Sequence, residues 1–194
     1  MILPSILETL QKLSQTLEKL RIDYMFIGGY ALPEYGLFRG TVDIDIAIGP
    51  SELSNLSQGF ERAGFQVSSC SEGTPCFVLT DTKNVTEIEV WTKPDGIIID
   101  QECLRRRRKR QIFGTDFWII GPEHFIVNKL ARKDRRAQDE EDVLSVLMNS
   151  DLKLDVPFLH RLAKQANIFP TLKALENKAK PSMTRHRQSN GARN

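Results

Sequence analysis

Residues 24–49 limit what this chain can become more than any other stretch: YMFIGGYALPEYGLFRGTVDIDIAIG joins an apolar strand, a Gly-Gly turn, an Arg-x-Thr and an Asp-x-Asp strand. In Val42-Asp43-Ile44-Asp45-Ile46-Ala47-Ile48 the large apolar residues recur at every second position. That period buries Val42, Ile44, Ile46 and Ile48 and puts Asp43 and Asp45 together on the other face. Their Cα atoms then lie roughly 7 Å apart, and two carboxylates held that close repel unless one is protonated or a cation sits between them. A hard divalent ion such as Mg²⁺ prefers carboxylate oxygens and keeps its remaining positions for water or phosphate. Upstream, Tyr24-Met25-Phe26-Ile27 runs into Gly28-Gly29, where the missing Cβ lets a backbone N–H approach an anion. The short helix that follows offers its positive end to the same anion.

Two further places continue the pattern. Ile88-Glu89-Val90 sets one carboxylate between apolar neighbours on a third strand, and Lys129 is followed by Gln138-Asp139 and Asp142 in a helical stretch. Strand, Gly-Gly, helix and Asp-x-Asp in this order resemble the nucleotidyltransferase superfamily. The segments Gly28-Gly29-Tyr30-Ala31-Leu32 and Arg39-Gly40-Thr41-Val42-Asp43-Ile44-Asp45 are most similar to its AbiEii-like group of abortive-infection and toxin-antitoxin transferases.

The resemblance implies an α+β fold, in which a mixed nucleotidyltransferase-type sheet is covered by helices and followed by a small C-terminal helical region. It implies Mg-dependent, or Mn-dependent, transfer of an NMP from an NTP such as ATP to a hydroxyl acceptor. That acceptor is an RNA 3′ end, tRNA included, or a protein hydroxyl; a toxin role would bring an antitoxin partner. The alternative is a noncatalytic nucleotide- or RNA-binding regulatory module on the same scaffold.

Each site residue has a bland counterpart. Asp43, Asp45 and Glu89 are expected to hold two metal ions, with Glu89 also placed to take the proton of the attacking hydroxyl; the bland reading is a solvated strand face. Glu89 is preferred to Glu87 because its apolar flanks match the family motif and Glu87 lies nearer the strand's edge. Gly28 and Gly29 are expected to meet the β- and γ-phosphates, a role compatible with an ordinary turn. Arg39 is suited to bidentate phosphate contact or to a surface ion pair, and Thr41 to a hydroxyl contact with the triphosphate. From the resemblance, Lys129 is expected to stabilise phosphate charge and Asp139 to serve the nucleotide site or orient Lys129. Gln138 stands where the family carries a basic residue.

Composition bears on partners and compartment. Net charge is only +2, yet Arg105, Arg106, Arg107, Arg108, Lys109 and Arg110 are six consecutive cations. Like charges at that density repel unless an anion is near, so the run reads either as a nucleic-acid contact or as a solvated helix end countered by Asp100 and Glu102. Apolar residues at 40% and charged ones at 27% suit a soluble globular chain. No apolar run approaches the length of a membrane helix and no export signal is evident, so a cytoplasmic location is expected. Three cysteines, Cys70, Cys76 and Cys103, match no zinc spacing and are expected to be free thiols.

The expected organisation is an α/β core over residues 1–121, a helical region packed on it over 122–177, and a disordered basic tail over 178–194. Within the core, helices are expected near 4–20, 51–63 and 97–110, and strands near 24–27, 42–48, 65–68, 76–80, 85–91 and 117–120.

Overall fold

The computed structural model describes residues 4–38, 40, 43–49, 53–71, 73–112 and 114–189. In chain order the elements are α1 (Pro4–Lys19), β1 (Tyr24–Phe26), a 3₁₀ helix (Gly28–Tyr35), β2 (Ile44–Ile48), α2 (Leu53–Arg62), β3 (Phe65–Ser69), β4 (Cys76–Asp81), β5 (Thr86–Trp91), α3 (Gln101–Arg105), β6 (Arg108–Ile112), β7 (Thr115–Ile119), α4 (Pro122–Ala131), α5 (Ala137–Met148), α6 (Val156–Gln165) and α7 (Phe169–Ser189). They form two compact units: Met1–Ala31 with Gly40–Pro94 and Ile98–Gly121, and Leu32–Arg39 with Asp95–Ile97 and Pro122–Asn194.

The first unit is built on a sheet. Among the described residues its order is β3-β4-β5-β2-β1-β7-β6, with β2 parallel to β5, β1 parallel to β7, and the remaining neighbours antiparallel. Alternation decides which face is dry: in β5, Ile88 and Val90 are buried while Glu87 and Glu89 are exposed. Leu10, Leu13 and Leu17 of α1, spaced three and four apart, are buried, and Phe60 of α2 meets Phe65 and Phe77 with ring centroids 6.2 Å away in each case. Thr9 and Lys12 of α1 donate hydrogen bonds of 2.7 Å and 2.6 Å to the buried carboxylate of Asp81 at the end of β4.

The second unit is helical. Every residue of α4 from Pro122 to Leu130 is buried, as expected for a helix packed all round. Tyr35 stacks 5.0 Å from Phe125, and its carbonyl accepts from Asn149 Nδ2 at 2.9 Å. Asp155 caps α6 by accepting from the Phe158 N–H at 3.1 Å.

The structure departs from the sequence expectations in four places. The helix expected over 97–110 is the five-residue α3 followed by strand β6. A helix would stack the six cations at i, i+3 and i+4, whereas a strand sends alternate side chains to opposite faces. The tail expected to be unstructured from 178 continues α7 as helix to Ser189; Leu172, Leu175 and Ala179 are buried at helical spacing and lead into it. Cys70 and Cys76, expected as free thiols, form a disulfide across the β3–β4 hairpin, because the antiparallel pairing of Ser69 with Phe77 brings their backbones together. The Asp-x-Asp strand begins at Ile44, so Asp43 immediately precedes it. No described helix is long and apolar enough to cross a membrane.

Candidate active site

Three strands of the first unit position the acids. β2 and β5 run side by side with Asp45 directly opposite Glu89 and Ile44 opposite Ile88. The pleat therefore sends both carboxylates to one face, while Ile44, Ile46, Ile88 and Val90 fill the other. β1 borders β2, and the Ile27 N–H donates to the Asp45 carbonyl at 3.0 Å, which fixes the start of the Gly-Gly turn against the acidic strand.

Gly28 carries the tightest requirement in the site. Its φ of +61° lies in the left-handed region, and a Cβ there would collide with Oδ2 of Asp45 and lie 3.2 Å from its Cγ. Only glycine lets the backbone turn and pass over that carboxylate. Gly28 and Gly29 are both buried and open the 3₁₀ helix, so the expected helix start at this turn is found.

Glu89, though its side chain stays solvent-exposed in part, is pushed above the ordinary carboxylate range, first by partial loss of hydration and then by the negative charge of Asp45 and of Asp43. A hydrogen bond shared with Asp45 raises it further, while one with Trp91 pulls the other way. Asp45 and Asp43 thus both act on Glu89. Among the described residues no three His, Cys, Asp or Glu side chains are gathered tightly enough to hold a metal ion as they stand. Asp43 immediately precedes the first residue of β2. Mutually repelling carboxylates with hard oxygen donors are nonetheless the chemistry that a divalent cation neutralises. Arg39 and Thr41 lie outside the described residues.

In the second unit Lys129 is buried, with Nζ 2.8 Å from Asp139 Oδ1 and 3.0 Å from Asp142 Oδ2. Asp139 also accepts the Arg136 N–H at 3.0 Å in a capping arrangement at the start of α5, and Gln138 Nε2 reaches Asp142 at 3.3 Å. The ammonium expected to face phosphate is thereby spent on two buried carboxylates. Gln138 ties down the second of them.

The basic run is divided between roles. Arg107 is largely buried: it donates to the Leu104 and Tyr24 carbonyls at 2.8 Å each, pairs with Asp23 at 2.9 Å, and lies 4.6 Å over the Trp118 ring. Lys109 pairs with Asp116 at 2.6 Å and Arg106 with Glu102 at 3.7 Å. Sequence reasoning did not single out Trp91 or Trp118. Their signal was positional, since Trp91 stands two residues after Glu89 on one strand face and Trp118 two before the end of an expected strand.

A family described as "Nucleotidyl transferase of unknown function (DUF2204)" matches residues 6–178. No curated protein matches the sequence. Among solved structures, the chain is similar to the lincosamide antibiotic adenylyltransferase LnuA in its lincomycin-bound crystal structure, at 14% identity and a TM-score of 0.50 over 73% of this chain and 94% of that one. It is similar to an antigenic nucleotidyltransferase-like protein from Paracoccidioides brasiliensis at 22% identity and a TM-score of 0.50, over 88% and 92%. The antibiotic-resistance factor ANT(2'')-Ia, in its solution structure, gives 15% identity and a TM-score of 0.52 over 87% and 94%. These likenesses establish the fold: a mixed sheet with flanking helices of nucleotidyltransferase type.

Proposed function

We propose, because this chain belongs to the nucleotidyl transferase family matched over residues 6–178 and is itself a nucleotidyltransferase, that it moves an NMP from an NTP to a hydroxyl acceptor with Asp43, Asp45 and Glu89 as its catalytic acids. The observation that carries this reading is the register of Asp45 opposite Glu89 beneath the Gly28 turn. The acceptor is an RNA 3′ end or a protein hydroxyl, and the AbiEii-like residues Gly28 to Leu32 and Asp43 to Asp45 support a toxin role with an antitoxin partner.

The three carboxylates would hold Mg²⁺ or Mn²⁺, two ions in this reading, which supply neutralisation of the triphosphate and acidify the acceptor hydroxyl. The chain's own groups do the rest. Backbone N–H groups at Gly28 and Gly29 receive the β- and γ-phosphates, where the absent Cβ permits close approach. Arg39 and Thr41 precede Asp43 in sequence and are assigned to the same phosphates. Glu89, beside Asp45 on the same sheet face, is assigned to accept the hydroxyl proton. The acceptor oxygen then bonds to the α-phosphorus, the bond from that phosphorus to the bridging oxygen breaks, and pyrophosphate leaves with its electron pair. Positioning and charge neutralisation dominate such a step, because the protein forms no bond of its own.

Incubation with each α-labelled NTP, Mg²⁺ or Mn²⁺, total RNA and a protein mixture tests the reading. Label is expected on one macromolecular acceptor, with one pyrophosphate released per label. Absence of label with all four NTPs and both metals overturns it.

A further inference from the structure

The strand registers fix which side chains adjoin Glu89 on its own sheet face. Along β5 these are Glu87 and Trp91, and across the sheet they are its partners, Asp45 of β2 and Val78 of β4. Glu87 and Asp45 are acids and Val78 is apolar, so within this set Trp91 brings the side-chain N–H, and an indole can only donate. Residues two apart on a strand lie roughly 7 Å apart at Cα, a span that a glutamate and an indole close between them. The Glu89 carboxylate accepts a hydrogen bond from the Trp91 side chain while it also meets Asp45.

These contacts work against a tendency to part. Two carboxylates on one face repel, and glutamate has ample rotamer freedom through which to swing away. A donor that is itself fixed opposes the swing. Tryptophan is stiff for its size, and Trp91 is half-buried at the end of β5, where the backbone is anchored on both sides. It pairs with Ala47 of β2 and with Cys76 of β4, and Cys76 is tied by its disulfide to Cys70. The next residue, Thr92, donates to the Pro75 carbonyl through its N–H at 2.9 Å and its Oγ1 at 3.0 Å.

We propose that Trp91 is a positioning residue for the transfer step: its indole N–H holds the Glu89 carboxylate turned toward Asp45. The inference rests on the transferase reading of those acids and adds the group that keeps them together. A hydrogen bond to an ionised acceptor is stronger than one between neutral groups, so the indole holds Glu89 best in the charged form that would bind a divalent cation. Groups that orient a metal-binding side chain in this way are worth about 10- to 100-fold in metal affinity or activity.

The test reads the contact apart from the chemistry. The full chain has two tryptophans, Trp91 and Trp118, so a nitrogen-15-labelled sample gives two indole N–H signals, which Trp91→Phe assigns. Glu89→Gln is expected to move the Trp91 indole proton upfield and to leave that of Trp118 in place. Replacing Trp91 by 3-benzothienylalanine keeps the bicyclic shape and puts sulfur where the N–H was. That protein is expected to melt within about 2 °C of the unaltered chain. Its half-saturation with Mn²⁺, read by electron paramagnetic resonance without NTP, is expected to need at least tenfold more metal. Its kcat for pyrophosphate release is expected to fall at least tenfold with KM for NTP within threefold. In the Glu89→Gln background the same replacement is expected to change kcat less than twofold, because Trp91 acts through Glu89. A merely structural tryptophan would repeat its full cost there. An unmoved Trp91 signal in Glu89→Gln, or a tenfold loss repeated in the Glu89→Gln background, overturns the proposal. Loss of release in Glu89→Gln beside an unaffected sulfur analogue overturns the positioning role alone, whereas near-full release by Glu89→Gln overturns the reading of the acids and the positioning role with it.

Discussion

Asp45 of β2 and Glu89 of β5 face one another as direct register partners on adjacent parallel strands, and the charge of Asp45 raises the cost of ionising Glu89. Adjacent carboxylates on one open sheet face are a liability for folding.

Removing one charge relieves that liability. Because Glu89 sits above its ordinary value in the folded state, protonation favours folding and stability falls as pH rises through its folded pKa. Asp45→Asn is expected to raise Tm at pH 7 by on the order of 1–3 °C, allowing for the solvent exposure of Glu89. The gain shrinks at acid pH, where protonation of Glu89 removes the repulsion in the unaltered chain. Differential scanning calorimetry at neutral and acid pH checks this.

Gly28→Ala places a Cβ against the Asp45 carboxylate at a positive φ. The backbone strain alone is worth about 1–2 kcal/mol, and the collision moves Asp45 away from Glu89. Urea unfolding is expected to show a lowered midpoint, and transfer is expected to fall at least tenfold.

Lys129 bridges the buried carboxylates of Asp139 and Asp142. Lys129→Met strands two acids in a dry interior and is expected to cost about 3–5 kcal/mol. Adding Asp139→Asn and Asp142→Asn is expected to restore most of that loss in urea titrations. If Lys129→Met alone leaves the midpoint unchanged, the pairing is not structural.

Asp81 shows the opposite sign to Glu89. Burial alone would push its carboxyl up, but hydrogen bonds from Lys12 and Thr9 and the Lys83 N–H more than offset this and bring it down to about 2. Its contribution is present above the unfolded value near 3.8 and is lost as pH falls from there toward 2. Roughly 1–2 kcal/mol is at stake once screening at the partly exposed Lys12 is allowed for. Asp81→Asn is expected to flatten that part of the stability–pH curve.

The cysteines give a count. Burial pushes the Cys103 thiol up to about 12, and Cys70 and Cys76 are joined. A thiol reagent is expected to find no group in the native chain, two after mild reduction, and three after reduction and unfolding together.

Much of this was legible in the sequence because the signals were periodic. Alternation in Ile44 to Ile48 and in Thr86 to Trp91 fixed which face carries Asp45 and Glu89, and the i, i+3, i+4 leucines of α1 marked its buried stripe. The basic run misled because six cations have no apolar period, and only pairing with β7 makes residues 108–112 a strand. The disulfide was hidden for a similar reason: the Ser69–Phe77 register, not the spacing of the cysteines, brings Cys70 to Cys76. The burial of Lys129 likewise depends on α5 folding back so that two aspartates flank it.

The central claim is that Asp45 and Glu89 form the catalytic pair, and pyrophosphate release tests it most directly. Rates with the preferred NTP, Mg²⁺ and acceptor are compared for the unaltered chain, Asp45→Asn, Glu89→Gln and Glu87→Gln. The account predicts a fall of at least 100-fold, about 2.7 kcal/mol or more, for the first two variants and less than threefold for Glu87→Gln. Near-full release by Asp45→Asn, or an equal loss from Glu87→Gln and Glu89→Gln, contradicts it.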